Sequence, residues 1–187
     1  MRRLRRLPAS TILLCEDETV LRLFPVLRRA WALRGVQAQV AITGRNAKRV
    51  LFGAINLRTG QRVVLCCPNM QQAYFRQFLR RLRQAYPGPP IALLLDAAPG
   101  HRAAKSRALA THLNIVLVWL PKQCSELNSM DQLWRDLKSH ISANYQYPTI
   151  DAHAAAAEQW ILSLTPTEAL RKAGILAQNF WLKSFIK

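Results

Sequence analysis

Two short apolar runs constrain this chain most: Ile91-Ala-Leu-Leu-Leu95 and Asn114-Ile-Val-Leu-Val-Trp-Leu120, with a helical segment near residues 102–112 between them. Pro90 precedes the first run and Pro121 follows the second. Short apolar runs bounded by breakers read as buried strands. A strand, a helix and a second strand in succession make the two strands parallel, joined by a right-handed crossover. Nearly unbroken apolar runs also mark strands covered on both faces, so helices are expected above and below.

The flanking segments extend the sheet. Residues 11–16 form a third apolar run and read as a buried strand. Val36-Gln-Ala-Gln-Val-Ala-Ile42 alternates and reads as a further strand, with Arg28-Arg-Ala-Trp31 as a turn of helix between Pro25 and Gly35. Residues 49–56 and 61–67 flank Leu57-Arg-Thr-Gly60, a hairpin signal with glycine in the turn. Phe75, Phe78, Leu79, Leu82 and Tyr86 recur at helical spacing, with Arg76, Arg80, Arg81 and Arg83 on the other side. Met130, Leu133, Trp134, Leu137 and Ile141 make a second stripe, with Trp134 read as core. An Ala-rich helix follows Pro148, and another runs from about Pro166 to Ala173. The expected fold class is α/β: three leading antiparallel strands, then the parallel β-α-β pair, in a mixed sheet covered by helices. Residues 1–10 read as a basic N-terminal tail. Residues 11–187 read as one domain with a helical C-terminal extension.

Ligands of such sheets bind outside the carboxyl ends of the parallel strands, and Asp96 stands at such an end. Asp17 closes the run Thr11-Ile-Leu-Leu-Cys-Glu-Asp17. Asp131 lies in Glu126-Leu-Asn-Ser-Met-Asp131, with 34 residues between it and Asp96. Carboxylates delivered by two strand ends and one helix start can hold two divalent ions about 3.5–4 Å apart, which clamp the attacking and leaving oxygens of a phosphodiester. Each acid has another explanation. Asp96 before Ala97-Ala-Pro-Gly100 suits a turn. Asp131 suits the first turn of a helix capped by Asn128 or Ser129. Asp17 balances nearby arginines. In a strand it faces opposite to Glu16 and Glu18, so only one side of that triplet can enter a site. Taken together these explanations weaken, because the chain has only 10 acids against 27 bases and three of them fall where elements meet. Crowded carboxylates repel, and Mg²⁺ relieves this while keeping positions for water and phosphate oxygens. His101, His112, His140 and His153 are scattered and suggest no metal cluster.

A net charge of +17, mostly from arginine, points to nucleic acid as the polyanionic partner. No apolar stretch reaches the roughly 18 residues that span a bilayer. The basic N-terminus lacks a secretory h-region, so no membrane association and a cytoplasmic location are expected. Cys15, Cys66, Cys67 and Cys124 show neither metal-ligand spacing nor a disulfide framework.

These residues resemble the catalytic domain of a mariner-type transposase of the bacterial insertion-sequence branch. The resemblance is carried by Asp17-Glu18, Trp31 with Gly35, Phe52-Gly-Ala54, Thr59-Gly60, Leu95-Asp96 with His101, and Leu120-Pro121. It continues through Ser125-Glu-Leu-Asn128, Asp131, Leu133-Trp134 and Leu137-Lys138. It implies a ribonuclease-H-like fold and a DDE/DDD endonuclease and DNA strand transferase. Asp17, Asp96 and Asp131 would be the catalytic, metal-binding triad for two Mg²⁺ or Mn²⁺ ions, supported by Glu18, His101 and Asn128. Phosphate contacts are expected from Arg45, Lys48, Arg49, Arg102, Lys105 and Lys138. The implied partners are double-stranded DNA at element ends and target, a second copy in the synaptic complex, and an upstream helix-turn-helix protein from an overlapping frame. The implied location is the bacterial nucleoid. Two departures stand out: Ala97 follows Asp96 where Asn is usual, and Cys124-Ser125 replaces the usual proline. A second reading-frame product, a truncated form, an inactive DNA-binding remnant and a structure-selective nuclease of the same fold all remain open at this point.

Overall fold

All five residues of β4 (Ile91–Leu95) are buried, which places this strand inside a sheet covered on both faces. The computed structural model describes residues 4–186. β1 (Ile12–Arg22), β2 (Lys48–Asn56) and β3 (Arg62–Cys67) lead, followed by α1 (Gln72–Ala85) and β4. Next come α2 (Pro99–Arg102), α3 (Ala104–His112), β5 (Ile115–Trp119), α4 (Ser129–Ile141), α5 (Ile150–Ser163) and α6 (Pro166–Lys172). The five-stranded sheet runs β3-β2-β1-β4-β5. β1–β2 and β2–β3 are antiparallel, and β1–β4 and β4–β5 are parallel. This is the expected ribonuclease-H-like mixed sheet.

Alternation along the strands divides the interior into two layers. Leu13, Cys15, Leu51, Ile55 and Leu94 meet Met130, Leu133, Trp134 and Leu137 of α4 and Ala157 and Ile161 of α5. Leu14, Phe52, Leu93 and Leu95 meet Phe75, Phe78, Leu79 and Leu82 of α1 on the other face. Asp17 therefore projects on the α4 side, and Glu16 and Glu18 on the α1 side. α1 ends before Pro87-Gly-Pro-Pro90, where the Arg83 guanidinium donates to the carbonyls of Tyr86 (2.8 Å), Pro89 (2.9 Å) and Leu113 (2.9 Å). Among the described residues no helix is long and apolar enough to cross a membrane, and all four cysteines are free.

The structure corrects two expectations. Val36–Ile42 pairs with no strand. β2 and β4 flank β1 on both sides, and Val36 and Ile42 are exposed, so the alternation marks no buried sheet face. Residues 28–31 form no helical turn. Residues 23–47 instead make an extended arm anchored on the turn after α4. There the Val26 N–H donates to Ser142 O (2.9 Å) and the Arg28 N–H to Asn144 Oδ1 (2.8 Å). In the segment expected as a basic N-terminal tail, Leu4 is buried in the core and Leu7 packs against it. Residues 1–3 of that tail lie outside the described residues.

Candidate active site

β1 and β4 pair in parallel through Cys15↔Leu94. Continuing that register by two residues brings Asp17 level with Asp96, which follows the carboxyl end of β4. Asp17 does not close its strand as expected, since β1 runs on to Arg22 paired with β2 alone. Asp131 enters from the first turn of α4. The three side chains, together with Asn128, Pro121 and Lys122, line one cleft of about 440 Å³. The sheet lets α4 come this close because Gly53 is the residue paired with Asp17. An added Cβ there would lie 2.4 Å from Trp134 Cζ2.

The electrostatics show how closely the acids are crowded. Burial, followed by the charges of Glu18, Asp131 and Asp96, pushes the Asp17 pKa up to about 8. Asp131 Oδ2 accepts from the exposed guanidinium of Arg135, an i,i+4 pair. Lys138 is half-buried. Burial draws its pKa down, against the charges of Asp131 and Asp17, and it lines a second pocket with Val20, Arg22 and Ser142, not the cleft. Aspartate oxygens arranged around an open cleft suit a hard cation such as Mg²⁺. The raised Asp17 pKa is the strain that such a cation relieves.

Asp96 is held from behind. Its Oδ1 accepts from the Ala98 N–H (2.9 Å) and bonds His101 Nδ1 (2.9 Å). The His101 bond is the main cause of the lowered Asp96 pKa. His101 Nε2 lies 2.8 Å from Glu18 Oε1 and 3.9 Å from Glu16 Oε2. Burial opposes the imidazolium, but Glu16 and the bonds to Asp96 and Glu18 outweigh it and raise the pKa to about 11. Burial, with Glu18 adding to it, pushes Glu16 well above the usual carboxylate range. The histidines are thus not all isolated: His101 shares a cluster with Glu16 and Glu18 whose ligand-type atoms lie within 4.8 Å of one another. The available signal was the i,i+2 spacing of the two glutamates, which puts both on one strand face.

Asn128 is the N-cap of α4, accepting from Met130 N–H. Among the expected phosphate contacts, Arg45, Lys48, Arg102 and Lys105 are exposed and do not line the cleft. Arg49 is engaged instead with Asp151 at 2.8 Å. Lys122, which the sequence reading missed, stands in the cleft wall on the loop after β5. Its only signal in the sequence was its place one residue after Pro121.

Residues 12–153 match a family model described as DDE superfamily endonuclease. The chain is 29% identical over 133 residues to the insertion element IS630 uncharacterized 39 kDa protein of Shigella sonnei, covering 70% of this chain and 39% of that protein. It superposes on the Mos1 transposase paired-end complex with left transposon end at a TM-score of 0.71, with 17% identity over 99% of this chain and 57% of that one. The mariner Mos1 paired end complex with Mg gives a TM-score of 0.71 and 18% identity, covering 100% and 59%. The chain thus spans well under two thirds of the length of these relatives, and the structural likeness is one of fold.

Proposed function

The chain belongs to the DDE superfamily of endonucleases, and on that premise we propose that it is the catalytic domain of a mariner-type insertion-sequence transposase. The reaction is hydrolysis of phosphodiesters at element ends, followed by joining of the freed 3′ ends to target DNA. One observation carries this reading: Asp17, Asp96 and Asp131, from three separate elements, line a single cleft.

The three carboxylates are the ligand frame for two Mg²⁺ or Mn²⁺ ions. Bound there, such ions supply Lewis-acid activation of the attacking oxygen and neutralise charge on the leaving one. The chain's own groups do the rest. Asn128 fixes the start of α4 and hence Asp131. His101 and Glu18 lie behind Asp96. Lys138 and Lys122 offer cations to the phosphate beside the acids. Arg45, Lys48, Arg102 and Lys105 track the backbone further out, the role basic side chains play in positioning nucleic acid. Arg49 joins them only if its pair with Asp151 opens.

The arm exposes Leu27, Trp31, Leu33, Val36 and Ile42. An apolar patch of this kind marks an interaction surface, and we assign it to a second copy in the synaptic complex. Recognition of the element ends falls to a helix-turn-helix partner, and the work is done at the nucleoid.

The test is Mn²⁺-dependent nicking of duplex DNA carrying the inverted repeats that flank the gene. Wild-type nicking with near-complete loss in Asp96→Ala supports the reading. Equal nicking by both proteins rejects it. Capture of the nicked 3′ ends by a target plasmid distinguishes a transposase from a nuclease that only cuts.

A further inference from the structure

The most unusual buried group outside the cleft is Glu16. Its side chain is fully buried, and neither carboxyl oxygen has a hydrogen-bond partner among the described residues. Beside it, His101 is 1% exposed and packs against Phe75 with ring centroids 4.3 Å apart. Both ring nitrogens of His101 meet a carboxylate: Nδ1 to Asp96 Oδ1 at 2.9 Å and Nε2 to Glu18 Oε1 at 2.8 Å. An ionised carboxylate only accepts, so both nitrogens donate. Asp96 has a side chain 60% exposed. Its orientation comes from two donors on one oxygen, the Ala98 N–H and His101 Nδ1–H. Its other oxygen, Oδ2, has no hydrogen bond among the described residues and is left for a cation.

We propose that His101, gripped by Glu18 on its far nitrogen and backed by Glu16, is the positioning residue that fixes Asp96 as a metal ligand. The inference rests on the reading of Asp96 as a ligand. Its chemistry is that of a ligating carboxylate held by a hydrogen bond from outside the coordination sphere. Loss of such a partner typically weakens metal binding about 10–100-fold. The contact between His101 and Glu18 is a direct hydrogen bond, so the cluster is closed as a chain from Glu18 through His101 to Asp96. Glu16 stands behind that chain, its Oε2 3.9 Å from His101 Nε2.

The conservative variants separate positioning from mere packing. The amide nitrogen of an asparagine sits where His Nδ1 sits, and that of a glutamine where His Nε2 sits. His101→Asn therefore keeps the bond to Asp96, and His101→Gln keeps only the bond to Glu18. Both are neutral and polar, so a purely structural role moves them together. The readout is Mn²⁺ binding to the full chain without DNA, by calorimetry and by the electron paramagnetic resonance of free Mn²⁺. The expected result is wild-type affinity within about threefold for His101→Asn, with about tenfold weaker binding for His101→Gln and His101→Ala. Equal loss in the Asn and Gln variants overturns the proposal, as does unchanged affinity in His101→Ala. A Mn²⁺ ion that survives Asp17→Ala, Asp96→Ala and Asp131→Ala combined but disappears in Glu16→Gln also overturns it, since the cluster is then itself a metal site. Wild-type binding by Asp96→Ala alone defeats the underlying reading of Asp96 instead.

Discussion

The side-chain amide of Asn128 donates to the main-chain carbonyl of Glu16 at 3.0 Å, tying the helix that carries Asp131 to the strand that carries Asp17. The same side chain accepts through Oδ1 from the Met130 N–H and the Cys15 thiol, each at 3.0 Å. A single buried amide thus sets the distance between two members of the acidic triad.

Replacing Asn128 separates its cap from its tether. Asn128→Ala loses the helix cap, about 1 kcal/mol, and leaves the buried Glu16 carbonyl unpaired, about 1–3 kcal/mol. The expected loss is about 2–4 kcal/mol by denaturant titration. Asn128→Ser restores an N-cap acceptor but offers no amide donor. It should recover about 1 kcal/mol while binding Mn²⁺ as weakly as the alanine variant. Recovery of both stability and metal binding by serine would show that the cap alone matters.

The elements that were legible in the sequence share one property: a single physical use. Residues 91–95 and 114–120 can only be buried strands, and β4 and β5 fall within one residue of that reading. Asp96 and Asp131 stood out because each sits at an element boundary in a chain poor in acids, whereas Asp17, read as a strand end, lies in the middle of β1. The failures came where a pattern has no partner or where the partner is remote. Val36 to Ile42 alternates like a strand, yet it pairs with none, and both of those residues stay exposed. The Glu18–His101 bond joins residues 83 apart in sequence, and no local spacing announces it. Arg49 and Lys48 are neighbours of one charge, and only the fold shows that Asp151 engages the first.

Gly53 is a second point where fold and site meet. A methyl group there would lie 2.4 Å from Trp134 Cζ2 and 2.7 Å from Met130 Cε. Gly53→Ala should force α4 outward and cost about 1–3 kcal/mol through overpacking. Because α4 carries Asp131, Mn²⁺ binding should weaken as well. Trp134→Phe removes the part of the ring that clashes, and no hydrogen bond is lost with it, since Trp134 Nε1 has no partner among the described residues. The double variant should regain part of both losses, a non-additive pair in a double-mutant cycle. Strict additivity would place the cause elsewhere than this contact.

Asp17 makes the metal-free protein sensitive to pH in a defined direction. Its folded pKa, pushed up to about 8, exceeds its ordinary value. Such a group contributes stability that is complete below the unfolded pKa and is lost as pH rises through the folded one. His101, raised to about 11, acts in the same sense above the pKa of an unfolded histidine. With chelator present, the melting temperature should therefore fall between about pH 6 and about pH 8. A cation that binds the ionised Asp17 stabilises the folded state by mass action, so saturating Mg²⁺ should raise the melting temperature more at the higher pH and flatten the profile. Asp17→Asn should reduce the slope in chelator and abolish most of the Mg²⁺ response, leaving the share that His101 and the raised Glu16 contribute. A wild-type profile that rises over this interval in chelator would contradict the crowding of carboxylates around Asp17.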